Sequence, residues 1–199
     1  MSLSSIDLTD WIARRRELLI AAWTPELSKA LEWEAPFAEA FAGELHGAML
    51  TAILGGGSEV SVLRMVADSG TGLDRKTEKA VAVRFYNVTL KLARAATRKR
   101  RYADSNATLP YLEGIAGQSC AERGHGAMQG IVLPHDHPFW RRWHPPLDMD
   151  CECSTIQVTR GRLGRLGLKI TGEDELADRQ SRISAGWPPA FEPLLDFRR

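Results

Sequence analysis

Cysteine is scarce in this chain: there are three in 199 residues, and two of them, Cys151 and Cys153, stand one position apart. So few thiols in that spacing do not make the disulfide framework of a small secreted domain; in a reducing compartment a C-x-C pair is metal-linked or simply free. Net charge is all but missing, with 26 basic residues against 25 acidic ones. No global field recruits nucleic acid, and any basic surface must be local. Long apolar runs are absent too, none reaching the roughly 18 residues of a membrane span. The opening MSLSSIDLTD has neither the basic nor the apolar region of a secretory signal, so the expected setting is a cytoplasm, with no membrane partner. There is no P-loop, no dinucleotide fingerprint, no HExxH helix and no internal repeat.

Local absences mark the elements. Residues 75 to 102 contain neither proline nor glycine, and Val83, Phe85, Val88, Leu92 and Ala95 share one face, which predicts a long helix. From Arg84 to Tyr102 acidic residues are missing as well, while Arg94, Arg98, Lys99, Arg100 and Arg101 crowd its end. Two explanations stand: a solvated face with cations well placed at a helix C-terminus, or a helix that contacts nucleic-acid phosphates. Upstream, residues 9 to 33 read as helix, capped by Thr9 or Asp10 and interrupted where Thr24-Pro25-Glu26 resembles a fresh helix start. A further helix runs from Pro36 to Ile53 and stops at Gly55-Gly56-Gly57; residues 59 to 68 suit a short helix, and 69–72 a loop. After Pro110 the texture changes. Residues 111–116, 130–133 and 154–158 are short apolar or alternating runs between glycines and prolines and predict strands of a small sheet; if the last two pair, the ends of the loop between them meet. Residues 160–170 are basic and glycine-punctuated, residues 173–182 suit a short helix with an acidic start, and the tail from Ala185 suits a segment laid over a core. The fold class expected is α+β: a helical region, then a small antiparallel or mixed sheet with a long Pro/His/Trp-rich loop. The domain boundaries expected are 1–75 for a helical arm, 76–172 for the core and 173–199 for the tail.

What the chain does have is concentrated between Gly124 and Cys153. Four of the five histidines lie there, with two of the three cysteines, two of the six tryptophans and four of the ten prolines. Side chains alternate along an extended strand, so Cys151 and Cys153 point the same way and can share one ion. Thiolate with imidazole suits zinc, and His125 precedes a predicted strand that would bring it near the pair. Candidates for the fourth ligand are His144, Asp148 and Cys120. His135-Asp136-His137 admits two explanations. One is a metal-dependent or general-base hydrolase acting on nucleic acid. The other is a Pro-framed turn anchored in the core by Phe139 and Trp140, and it is preferred because no second half of a catalytic set is present.

An ordered series of motifs carries a resemblance over roughly residues 80 to 160. It comprises Arg84-Phe85-Tyr86-Asn87-Val88-Thr89 on a helix, the strand from Tyr111 to Ala116, His125, and Met128-Gln129-Gly130. Pro134-His135-Asp136-His137-Pro138-Phe139-Trp140, His144-Pro145-Pro146 and Cys151-Glu152-Cys153 follow, and Gly186-Trp187 ends the series. In that order they resemble the Mu F-like phage head morphogenesis family of minor capsid proteins. The resemblance implies a non-enzymatic head protein that takes part in capsid assembly. Its partners would be portal or capsid proteins and DNA, with no small-molecule substrate. It would be found in the host cytoplasm during assembly and in the capsid interior afterwards. That family alternates His and Cys at the position of His125, and those two side chains share zinc ligation and little else. The expected metal set is therefore His125, Cys151 and Cys153 with His144 or Asp148, holding a structural zinc.

Overall fold

The computed structural model describes residues 5–67 and 71–198, so Ser69 and Gly70 of the expected loop lie outside the described residues. Two compact units emerge. One comprises residues 1–97 with 188–196, the other 98–187 with the last three residues. The division falls within the long helix and within the tail. The fold class is α+β.

The first unit is helical: α1 (Ser5–Arg14), α2 (Arg16–Leu31), α3 (Ala35–Leu54), α4 (Glu59–Ala67) and most of α5 (Arg75–Asp104). The helix break predicted at Pro25 falls instead at Arg15, and Pro25 lies inside α2. Proline inside a helix costs about 3 kcal/mol. Here Trp23 and Leu27, one on either side of it, are both buried, and each contributes about 1.5–3 kcal/mol by leaving water. The Thr24 hydroxyl also donates to Ile20 O at 2.8 Å within the same turn. Burial outweighs the lost amide bond, and the helix continues. Trp23 is the hub of this core, its ring 5.1 Å from that of Phe85 and 5.5 Å, edge-on, from that of Phe191. Phe191 comes from a 3-10 turn, Pro189–Arg198. That part of the tail therefore belongs with the N-terminal helices, where Arg15 also pairs with Asp196 at 3.1 Å.

The second unit is built on a three-stranded antiparallel sheet of β1 (Tyr111–Ile115), β2 (Val132–Pro134) and β3 (Ser154–Val158), in the order β2-β1-β3. The second and third runs do not pair with each other: both pair with β1, in registers such as Leu112↔Leu133 and Leu112↔Gln157. Glycine at 114 permits the central position, because a Cβ there would lie 2.5 Å from Met128 O. Between β2 and β3 the Pro-rich segment is not structureless. It forms α6 (Phe139–Trp143), and Phe139, Trp140 and Trp143 are buried as its anchor. The Trp140 indole also donates to Pro134 O at 3.1 Å. Two helices follow, α7 (Arg160–Leu166) with Thr159 as its cap, and α8 (Glu173–Arg182) with its acidic first turn. The strap after α8 closes over the loop: the Gly186 amide donates to Leu147 O (3.2 Å) and the Trp187 indole to Pro146 O (3.1 Å).

Candidate metal centre

Two short segments supply the centre. The first is a 3-10 turn, Gln118–Arg123, ended by Gly124 at φ +76°, a conformation that favours glycine. This reversal returns the His125 amide to Cys120 O at 3.1 Å and sets both side chains on the same side of the turn. The second is the C-x-C segment. Asp148 starts it by accepting the Asp150 amide on Oδ1 at 2.8 Å, and its carbonyl accepts the Cys151 amide at 3.3 Å. Cys151 and Cys153, one residue apart and just ahead of β3, both bring their sulfurs into the same cluster.

One ligand atom from each of Cys120, His125, Cys151 and Cys153 lies within 4.8 Å of all the others, and all four residues are buried. Among the described residues no other group of three or more His, Cys, Asp or Glu ligand atoms converges in this way. The cluster can hold a metal ion. A tetrahedral zinc with bonds of about 2.3 Å sets its sulfurs about 3.8 Å apart, so small side-chain rotations close the set onto an ion.

The surroundings fit thiolates. The Glu152 amide donates to Cys120 Sγ at 3.1 Å, the Gly117 amide to Cys153 Sγ at 3.4 Å, and Arg123 Nη2 to Cys120 Sγ at 3.2 Å. Gly117 is required for its approach, since a Cβ there would meet the Glu152 Cβ at 2.6 Å. Burial alone would push the Cys120 thiol up, but hydrogen bonds from the Glu152 amide and Arg123 help to outweigh it and hold Cys120 below its usual range. The Cys153 thiol donates to Cys151, which brings Cys151 down to about 6 and pushes Cys153 up. His125 is completely buried, and neither ring nitrogen has a hydrogen-bond partner. A buried imidazole left so is costly; a metal at this point satisfies one nitrogen, and Asp148 lies 3.4 Å from Nε2.

The structure therefore brings together three of the expected ligands, His125, Cys151 and Cys153, and places Cys120 as the fourth. Asp148 stands one layer out, bonded to Arg123 at 3.0 Å and 3.4 Å from His125 Nε2. His144 is elsewhere. It is buried with Nδ1 against Pro145 O (2.9 Å) and Nε2 against the Thr155 hydroxyl (3.3 Å), so both nitrogens are used within the core. Arg123 and Gly117 were not among the predicted site residues. The available signal was their position, Gly117 and Arg123 each three residues from Cys120.

His137 Nδ1 accepts the Phe139 amide at 3.2 Å, while Nε2 lies 3.6 Å from Glu173; the His135 amide donates to Pro110 O. These two histidines serve a turn. Of the basic residues predicted to meet phosphate, Arg94 and Arg100 are exposed, while Arg98, Lys99 and Arg101 are half-buried. Lys99 donates to His135 O at 3.5 Å, and burial holds its ammonium pKa below the usual value.

Comparison with protein-family models, with curated proteins and with solved structures returned no match for this chain. No helix among the described residues is long and apolar enough to cross a membrane.

Proposed function

We propose that this chain is a structural protein of a phage or prophage head, of the Mu F-like minor capsid type, stapled by one structural zinc. The observation that carries the proposal is the closed cluster of Cys120, His125, Cys151 and Cys153. Three of its four donors are motif positions of the resemblance, and they meet in one buried place. Four protein donors fill a tetrahedral site and leave no open position for substrate, which is the pattern of structural rather than catalytic zinc. When bound, the metal supplies a fourfold cross-link between the Cys120–His125 turn and the C-x-C segment. The residues themselves do the rest: the Gly117 and Glu152 amides and Arg123 stabilise the thiolates, and Phe139, Trp140 and Trp143 anchor the loop.

In this role the protein binds portal or capsid proteins in the host cytoplasm and remains in the capsid interior, where exposed Arg94 and Arg100 are available to DNA phosphates. Co-expression with the portal protein encoded nearby, followed by pull-down, tests the assembly role. Co-purification is expected, and its failure in either order of assembly removes that role. Elemental analysis of protein purified without chelator tests the zinc separately, with one zinc per chain expected.

A further inference from the structure

We infer that Asp148 is the positioning residue of the metal centre: it holds the proton on His125 Nε2 and so makes Nδ1 the nitrogen offered to the ion. This rests on the zinc reading above and assigns the orientation of its only imidazole. The two oxygens of Asp148 have different surroundings. Oδ1 accepts from Arg123 Nη1 at 3.0 Å and from the Asp150 amide at 2.8 Å, whereas Oδ2 faces His125 Nε2 at 3.4 Å. A neutral imidazole carries one N–H and one lone pair. Both ring nitrogens are buried and neither makes a hydrogen bond; with a carboxylate oxygen 3.4 Å from Nε2 the N–H belongs on that side, and the lone pair falls on Nδ1. Metal-bound histidines commonly donate their other N–H to a carboxylate, which fixes the tautomer and the ring orientation.

Asp148 is not itself a ligand in this arrangement. Cys120, His125, Cys151 and Cys153 already make four, and Oδ1 is engaged by a guanidinium and an amide. Arg123 ties the two layers together, because the same guanidinium that holds Asp148 also donates to Cys120 Sγ and to Asp150 O (2.7 Å). Zinc with three thiolates carries one net negative charge, and the Arg123 cation beside Cys120 offsets it.

The experiment uses the zinc-loaded full chain. Long-range 15N–1H correlation of the wild-type protein reads which imidazole nitrogen is metal-bound, and Nδ1 bound with Nε2 protonated is expected. Zinc affinity is then measured against a competing chelator for wild type, Asp148→Asn and Cys120→Ser. The asparagine keeps an oxygen for Arg123 and the Asp150 amide while removing the charge that faces Nε2. Asp148→Asn should retain one zinc with affinity lowered about 10–100-fold, and Cys120→Ser should fall much further. Wild type without zinc would overturn the zinc reading itself. Wild type with one zinc but Nε2 as its ligand, or unchanged affinity in Asp148→Asn, would overturn this assignment alone. A loss in Asp148→Asn as large as in Cys120→Ser would make Asp148 a ligand and overturn it as well.

Discussion

Stripping zinc from the loaded protein and following thermal unfolding by calorimetry perturbs the centre without touching the chain. Structural zinc in small peptide domains is worth about 10–16 kcal/mol in apparent binding free energy, and the low end corresponds to a dissociation constant on the order of 50 nM. A ligand that binds only the folded form at about 1,000 times its dissociation constant stabilises that form by about 4 kcal/mol. One kcal/mol moves the melting temperature of a domain of 60–100 residues by about 4–8 °C. Removal of zinc should therefore lower the transition of the 98–187 unit by about 16–32 °C, and reloading should restore it. The binding is taken to be exclusive to the folded form because the donors come from two segments about thirty positions apart, which the unfolded chain does not hold together. Cys120→Ser supplies the control, since it should melt near the stripped value whether or not zinc is present. A shift under about 2 °C on stripping, where the linkage predicts tens of degrees, or an undiminished zinc response in Cys120→Ser, would refute the reasoning.

In the helical unit, His46 is buried with Nε2 3.1 Å from Ile12 O, and burial lowers its pKa. The fold therefore prefers the neutral ring: its contribution is fully present above the unfolded pKa of about 6.5 and is lost as pH falls through the folded value, by at most about 1.4 kcal/mol per pH unit. Urea unfolding at pH 7.5 and pH 5 should show a decline that is smaller in His46→Leu. Trp23→Ala removes the ring between Phe85 and Phe191 and should cost about 3–5 kcal/mol in the same assay while leaving zinc content unchanged. Gly117→Ala forces a Cβ onto the Glu152 backbone and should cost about 1–3 kcal/mol, with weaker zinc binding because the amide donor to Cys153 is displaced. If Arg94 and Arg100 meet DNA phosphates, reversing both to Glu should flatten the log–log salt dependence of binding by about 0.9 per lost contact; an unchanged slope would remove these two cations from the interface.

Much of the helix content was legible because it rests on local rules. Gly55-Gly56-Gly57 ends α3, the Pro- and Gly-free run makes α5, and the acidic residues from Glu173 open α8. Pro25 misled because a local rule met a tertiary one: Trp23 and Leu27 gain more by burial than the proline loses. The strands were recognisable, but their partners were not. Nothing in residues 130–133 or 154–158 says that both edges of β1 are taken, and the signal lay in Gly114, whose missing side chain admits the Met128 carbonyl. The cations at the end of α5 were legible as charge and not as direction, since only position in the fold decides that Lys99 turns to a backbone carbonyl while Arg100 stays in water.

The centre was half legible for a related reason. C-x-C declares itself by alternation along an extended chain. Cys120 and His125 are five residues apart, a spacing that becomes a ligand pair only when Gly124 reverses the chain between them. The hydrogen bonds to sulfur then cross between the two segments: Glu152 of the C-x-C segment donates to Cys120, and Gly117, just before the 3-10 turn, donates to Cys153. Each segment thus supplies an amide for the other's thiolate. Neither half of the site is electrostatically complete alone, so the ligands and their donors form as one unit or not at all. Arg123 extends the same logic outward, because it joins Cys120 on its own segment to Asp148 and the Asp150 carbonyl on the other. The metal set is consequently a property of the contact between the two segments, and a reading confined to either motif finds two donors where the fold has four.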